Sequence, residues 1–192
     1  GGGLIQQALY NIENVIGGAG NDLISGDLHD NSFKGGKGDD ILVGGGGDDT
    51  LEGGDGILNN VDSGYDIADY SSVSGSTPLT FSLKTADSAV MTSTGAEAGN
   101  DILLKIDEIR GGSGTDTFQH LVAGYTLDGR GGDNQVDYRQ TAAGATETTN
   151  VTIDLQSATN KTIWNGTSSQ ILRNIQSALT GSGNDVFLNG VS

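Results

Sequence analysis

Aspartate recurs at a fixed interval near the start of this chain, set each time among glycines. Gly17-Gly18-Ala19-Gly20-Asn21-Asp22-Leu23-Ile24-Ser25, Gly35-Gly36-Lys37-Gly38-Asp39-Asp40-Ile41-Leu42-Val43 and Gly44-Gly45-Gly46-Gly47-Asp48-Asp49-Thr50-Leu51-Glu52 share one pattern, G-G-x-G-x-D-x-U-x, with U a large apolar residue. Carboxylates and peptide carbonyls are hard oxygen ligands, and without cysteine or paired histidine the chemistry they suit is calcium coordination. The first six residues of each unit are too glycine-rich for helix or strand. Glycine tolerates positive φ, which lets carbonyls turn toward a common point. The last three residues read as a short strand with one apolar side chain pointing inward.

Two such units make one turn of a coil, so loops on the same edge stand eighteen residues apart. This pairs Asp22 with Asp40 on one edge and Asn31 with Asp49 on the other. The candidate ligands of this block are Gly18, Gly20, Asp22, Asn31, Gly35, Gly36, Gly38, Asp40, Gly44, Gly45, Gly47 and Asp49. The unit Gly26–Lys34 is degenerate, and Asn31 offers a neutral carbonyl where a carboxylate would stand. The next loop on the first edge begins with Gly53, Gly54 and Gly56, is interrupted by Ile57 to Ser63, and resumes so that Asp66 is its displaced sixth position. The pattern returns in diluted form twice. Gly111 to Asp116 pairs with Asn134, eighteen residues on, and Gly181 to Asp185 is a half-site. Asp101 stands fifteen residues before Asp116 and reads as a turn residue.

These nonads resemble the RTX calcium-binding repeat, found in the repeats-in-toxin proteins of Gram-negative bacteria. The resemblance implies an all-β fold, a right-handed parallel β-roll or β-solenoid with calcium-binding turns and wider intervening β-coils. It further implies several Ca²⁺ ions per chain, export by type I secretion machinery, and a secreted or cell-surface location where calcium folds the chain. A flexible Gly-Asp linker is the plain alternative. It gives no reason for Ile24, Phe33, Leu42 and Leu51 to fall at a constant interval of nine.

The rest of the chain must position these loops. Ile12–Ile16, Ile106–Arg110 and Ile175–Leu179 alternate apolar residues as lead-in strands before each block. Asp69-Tyr70 and Asp137-Tyr138 follow the blocks, and the short strands 79–83 and 151–155 come next. Three units are expected: 1–70 with the strong repeats, 71–138 with degenerate ones, and 139–192 with a truncated set. The segments 71–105 and 139–174 are expected as wider coils or β-rich excursions on the same axis.

Composition bounds the function. Of 192 residues, 33 are Gly, 25 are acidic against 9 basic, and 20 of the acids are Asp. Surface solubilisation would use Glu as readily, so the Asp excess points to short carboxylates placed in turns. A net charge of −16 argues against nucleic acid as a partner. A hydrophobic fraction of 34% is low for a packed core, so ion binding is expected to supply folding free energy. There is no transmembrane run. The start in a glycine run and the stop at Ser192 read as an internal fragment of a longer protein.

Three functional readings compete. The first is a calcium-dependent structural module without catalysis. The second is an adhesin or polysaccharide-binding module on the same scaffold, with cell-surface glycans or copies of itself as partners. The third is a carbohydrate-active enzyme on a β-helix, which needs acids free of calcium. His29 and His120 read as surface or turn residues, Trp164 as a core or capping residue, and Tyr70 and Tyr138 as repeated structural residues.

Overall fold

The computed structural model describes residues 6–8, 12–54, 64–85, 88–93, 98–120, 122–141, 143–154, 160–164 and 168–188. All regular structure among them is β-strand. Glycine loops too flexible to continue a strand turn the chain every nine residues, and successive strands go alternately to two sheets. Leu23–Ser25, Ile41–Val43 and Ile67–Asp69 lie in one; Asn14–Ala19, Ser32–Lys37 and Thr50–Gly54 lie in the other. Neighbours are parallel, and the register is eighteen: Leu23 stands opposite Ile41, and Phe33 opposite Leu51. Where residues 55–63 intervene, Ile41 still meets Ile67.

Among the described residues the first sheet has ten strands. After the three named, it continues through Glu108–Arg110, Thr126–Asp128, Ser168–Arg173, Asn160–Trp164 and Val151–Asp154 to Val186–Leu188, and Gln6–Ala8 closes its other edge. The second has nine. Beyond Thr50–Gly54 it runs through Asn100–Leu104, Ser88–Ser93, Leu79–Thr85, Thr117–Gln119 and Gln135–Tyr138 to Ser177–Thr180. The all-β class and the largely parallel sheets agree with a β-roll.

The long segments depart from single-direction coiling. Leu79–Thr85, Ser88–Ser93 and Asn100–Leu104 form an antiparallel meander inserted into one sheet. Val151–Asp154, Asn160–Trp164 and Ser168–Arg173 do the same in the other. A meander absorbs extra residues in the plane of the sheet while every inner strand keeps its ladder of hydrogen bonds. The lead-in strands begin later than the alternation alone predicts, at Asn14, Glu108 and Ser177. Ile106 and Ile175, two residues ahead of the latter two, are buried as plugs.

Both sheets turn one row of side chains inward. Ile24, Leu42, Ala68, Ile109, Leu127 and Leu172 from one meet Phe33, Leu51, Leu103, Phe118 and Val136 from the other in a single buried cluster. Phe81 and Phe118 stack with ring centres 4.9 Å apart. On the outer face, charge pairs cross the strands where the nonads are diluted. Buried Glu108 accepts from Arg110 Nε at 2.5 Å, from Arg173 Nη1 at 3.0 Å and from the Tyr65 hydroxyl at 3.0 Å. Arg110 also reaches Asp69 at 3.1 Å. No helix among the described residues is long and apolar enough to cross a membrane.

Candidate metal centre

The second and fourth residues of the three intact loops are glycines in the left-handed region. Gly18, Gly20, Gly36, Gly38, Gly45 and Gly47 have φ of 115°, 120°, 116°, 112°, 105° and 98°. A side chain would be strained there, and this backbone is what turns the loop carbonyls out of the sheet ladder. The first glycine acts differently. A Cβ on Gly17, Gly35 or Gly44 would collide with Oδ2 of that loop's own aspartate, Asp22, Asp40 or Asp49. A Cβ on Gly17 would also meet the carbonyl of Gly35, and one on Gly26 the carbonyl of Gly44. Carboxylate and next-coil carbonyl therefore converge on a space that exists because the residue there is glycine.

The sixth position links coil to coil through its other oxygen. The Asp22 amide donates to Asp40 Oδ1 at 2.8 Å, and the Asp40 amide to Asp66 Oδ1 at 2.9 Å. On the opposite edge the Asn31 amide donates to Asp49 Oδ1 at 2.7 Å. The structure thus brings together Asp22 with Asp40, Asp40 with Asp66, and Asn31 with Asp49. Oδ1 ties Asp40, Asp49 and Asp66 to the preceding coil, and in Asp22, Asp40 and Asp49 Oδ2 faces the first glycine of its own loop. Oδ2 of Asp22 and of Asp49 is buried and accepts no hydrogen bond among the described residues. A buried, unpaired carboxylate oxygen is costly. Burial accordingly pushes the Asp49 carboxyl up to about 6. A cation at Oδ2 removes that cost, and carboxylate plus carbonyl oxygen is the donor set Ca²⁺ takes. No three His, Cys, Asp or Glu side chains cluster among the described residues, so any ion held here draws chiefly on carbonyls.

The degenerate loops satisfy themselves. Asp116 is buried and accepts at both oxygens, from Leu79 N at 2.9 Å and from Gly112 N at 2.8 Å. Its own amide donates to Asn134 Oδ1 at 2.9 Å, so this predicted pair also meets. Asn134 Nδ2 then donates to the carbonyls of Gly131 at 2.8 Å and Asn174 at 2.9 Å, occupying loop carbonyls that a cation would otherwise draw on. Asn31 Nδ2 does the same to the His29 carbonyl. Gly112 and Gly114 lie outside the left-handed region, unlike their counterparts in the strong block. Asp185 Oδ1 accepts from Val151 N at 3.0 Å, at the last described loop. Gly54 ends a strand in buried surroundings, and Gly56 lies outside the described residues.

Three features escaped the sequence. Asp101, expected as a turn residue, is fully buried, and its Oδ1 accepts from the Asp49 amide at 2.8 Å. It is the next rung after Asn31 and Asp49, reached by way of the meander. Its Oδ2 accepts from the Tyr70 hydroxyl at 2.7 Å, and burial raises its carboxyl to about 7. Asp107 extends the first edge, accepting from Asp66 N at 2.8 Å. Finally, the fifth position carries an outer ladder of its own. Asn21 Oδ1 accepts from Asp39 N at 3.0 Å, Asp30 from Asp48 N at 2.8 Å, and Asp48 from Asn100 N at 2.9 Å. The recurrence of Asn or Asp at that position was the available signal.

Tyr70 and Tyr138 share a role: both are buried, and each hydroxyl donates to a buried polar side chain, Asp101 and Gln170 respectively. His29 is exposed beside Asp27 at 3.0 Å, and His120 Nδ1 contacts the Leu83 carbonyl at 3.1 Å. Trp164 lies in a strand.

Compared with known families, residues 10–40 and 26–57 match the RTX calcium-binding nonapeptide repeat, a model of four copies. The match spans a quarter of the chain and coincides with the left-handed glycines of the three intact loops and the Asp22–Asp40 and Asn31–Asp49 rungs. No curated protein and no solved structure matches. Residues 10–57 therefore match RTX calcium-binding nonapeptide repeats, and the similarity covers that part of the chain.

Proposed function

We propose that this chain is a calcium-dependent structural module of a secreted RTX protein, folded by Ca²⁺ after type I export to the medium or the cell surface. The observation that carries this is the buried Oδ2 of Asp22 and of Asp49, which accepts no hydrogen bond among the described residues, with Asp49 held in place through its Oδ1. Asp22, Asp40 and Asp49 would supply charge to the ions, with Asp66 and Asp101 as further carboxylates on the same two edges. Carbonyls of the loop glycines would complete each shell. Asp116 and Asn134, whose polar atoms are already bonded, act as structural rungs in this reading. Bound calcium supplies charge neutralisation and cross-linking between coils, in a chain with no cysteine. In calcium-poor cytoplasm, self-repulsion at −16 keeps the chain open and threadable. Outside, weak sites typical of extracellular modules fill.

We read the module as non-catalytic, because its buried carboxylates serve rungs between coils. Circular dichroism of the chain with chelator and with millimolar Ca²⁺ tests the proposal. A largely disordered spectrum becoming β-rich on addition of calcium is expected. A fully folded apo chain whose thermal midpoint calcium leaves unmoved refutes it.

A further inference from the structure

Away from the glycine loops, the outer face of the nine-stranded sheet holds a polar cavity of about 360 Å³. It is lined by Gln119, His120, Asp137, Arg139 and Gln140. The alternation of two parallel strands builds it. Phe118 and Val136 point into the core, so their partners Gln119 and Asp137, which stand opposite each other, point out side by side. The volume lies within the range of small-molecule sites, roughly 300–1,000 Å³.

The lining is pre-set. Arg139 grips Asp137 with two prongs, Nε to Oδ1 at 3.0 Å and Nη2 to Oδ2 at 2.7 Å. The Asp137 carboxyl is held below its ordinary range, first by that bond to Arg139. His120 takes a left-handed φ of 73°, uncommon for a residue with a side chain, and its amide donates to the Asp137 carbonyl at 3.0 Å. Its Nδ1 faces the Leu83 carbonyl, which can only accept, so Nδ1 donates there and Nε2 is the ring nitrogen left for a ligand. Gln119 Oε1 accepts from the Ser82 hydroxyl at 3.3 Å, which leaves its amide NH₂ to donate.

We propose that this cavity binds a neutral saccharide. The Asp137–Arg139 pair brings no net charge, and an anion or a cation would have to part it and leave one member uncompensated. An apolar ligand finds no hydrocarbon side chain among the five described lining residues, whose one ring is the His120 imidazole. What they do offer is an alternation of fixed donors and acceptors: the remaining guanidinium and amide N–H groups, carboxylate lone pairs, and the imidazole nitrogen. Vicinal sugar hydroxyls, each donor and acceptor at once, match it. With no Trp, Tyr or Phe among the described lining residues, affinity rests mainly on hydrogen bonds that replace bound water, and millimolar binding follows. The site depends on the rolled fold and uses none of the carboxylates assigned to calcium.

The test is a titration of the full ¹⁵N-labelled chain in saturating calcium. The side-chain N–H signals of Gln119, Gln140 and Arg139 are followed with maltotriose, cellotriose, chitotriose, inorganic phosphate and sulfate in separate runs. Saturable shifts confined to these groups are expected with at least one sugar. They should weaken by about tenfold or more in the double variant Asp137→Asn, Arg139→Gln, whose calcium count and circular dichroism stay those of the parent. Three results would overturn the proposal: no saturable response to any sugar, response to phosphate or sulfate alone, or undiminished sugar binding in the double variant.

Discussion

Replacing Asp49 by Asn tests whether a buried carboxylate is held in place for a cation. Asp49 is 1% exposed, its Oδ1 accepts from Asn31 N at 2.7 Å, and its Oδ2 has no donor among the described residues. Burial raises its carboxyl from 3.8 to about 6, so near pH 7 the ionised apo fold is penalised by about two pH units. That is roughly a hundredfold in the folding constant, or about 3 kcal/mol. Asn keeps the Oδ1 acceptor and replaces the charged Oδ2 by an NH₂ that can donate to loop carbonyls, as Asn134 does. The variant should fold more readily without calcium and hold one ion fewer with it. The assay is osmolyte-induced folding in chelator, followed by circular dichroism, beside a calcium count by calorimetry. Asp49→Ala separates the effects, because it also strands the Asn31 amide at about 1–3 kcal/mol. An apo Asp49→Asn chain no easier to fold than the parent, or an unchanged ion count, refutes the reasoning.

Other expectations follow from the same geometry. In chelator, Asp49, Asp101 and Asp116, with carboxyls raised to about 6, 7 and 6, contribute stability that is complete below about pH 4 and lost as pH rises through 6 to 7. Apo folding should therefore improve on mild acidification. With calcium the trend should reverse, since protons compete for the same oxygens; parallel dichroism titrations read both. Gly44→Ala places a methyl against Asp49 Oδ2 and should remove one calcium from the calorimetric count. Glu108→Ala leaves Arg110 and Arg173 without their shared acceptor. It should cost roughly 2 kcal/mol in thermal melts at saturating calcium, less than a fully buried pair because Arg173 is 38% exposed.

How much of this was legible in the sequence depends on distance along the chain. The interval of nine fixed Ile24, Phe33, Leu42 and Leu51 as core residues, and all four are buried. One inward side chain per rung leaves a period that survives any change in the loops. The eighteen-residue pairing was readable for the same reason, and Asp116 with Asn134 obeys it even in a diluted block. The meanders were not readable as such. Their strands 79–85 and 151–154 alternate like any rung, and nothing local says that the strand after each runs backward. Asp101 was misread as a consequence. It lies 52 residues from its partner Asp49, a separation set by everything folded in between. Measured against Asp116 it had the wrong spacing, because Asp116 belongs to a different ladder.

The same period also hid a chemical distinction. Asp and Asn at the sixth position look like strong and weak versions of one ligand, and the structure gives them different tasks. Both accept from the preceding coil through Oδ1, so either keeps the stack in register. Their second atoms differ in sign. An aspartate Oδ2 faces loop carbonyls as one more acceptor, and acceptors alone do not hold together without a cation. An asparagine NH₂ donates to those carbonyls and closes the loop by itself. On the proposed reading the strong block depends on calcium because Oδ2 of Asp22 and of Asp49 finds no donor among the described residues. The block from Gly111 to Asn134 has donors of its own, with Gly112 N on Asp116 and Asn134 on the carbonyls. The Glu108–Arg173 and Arg110–Asp69 pairs add cross-links between coils there without an ion. On the proposed reading the later coils should need less calcium to fold than the first, and a dichroism melt should split in two as calcium is withdrawn; a single transition at every calcium level refutes it.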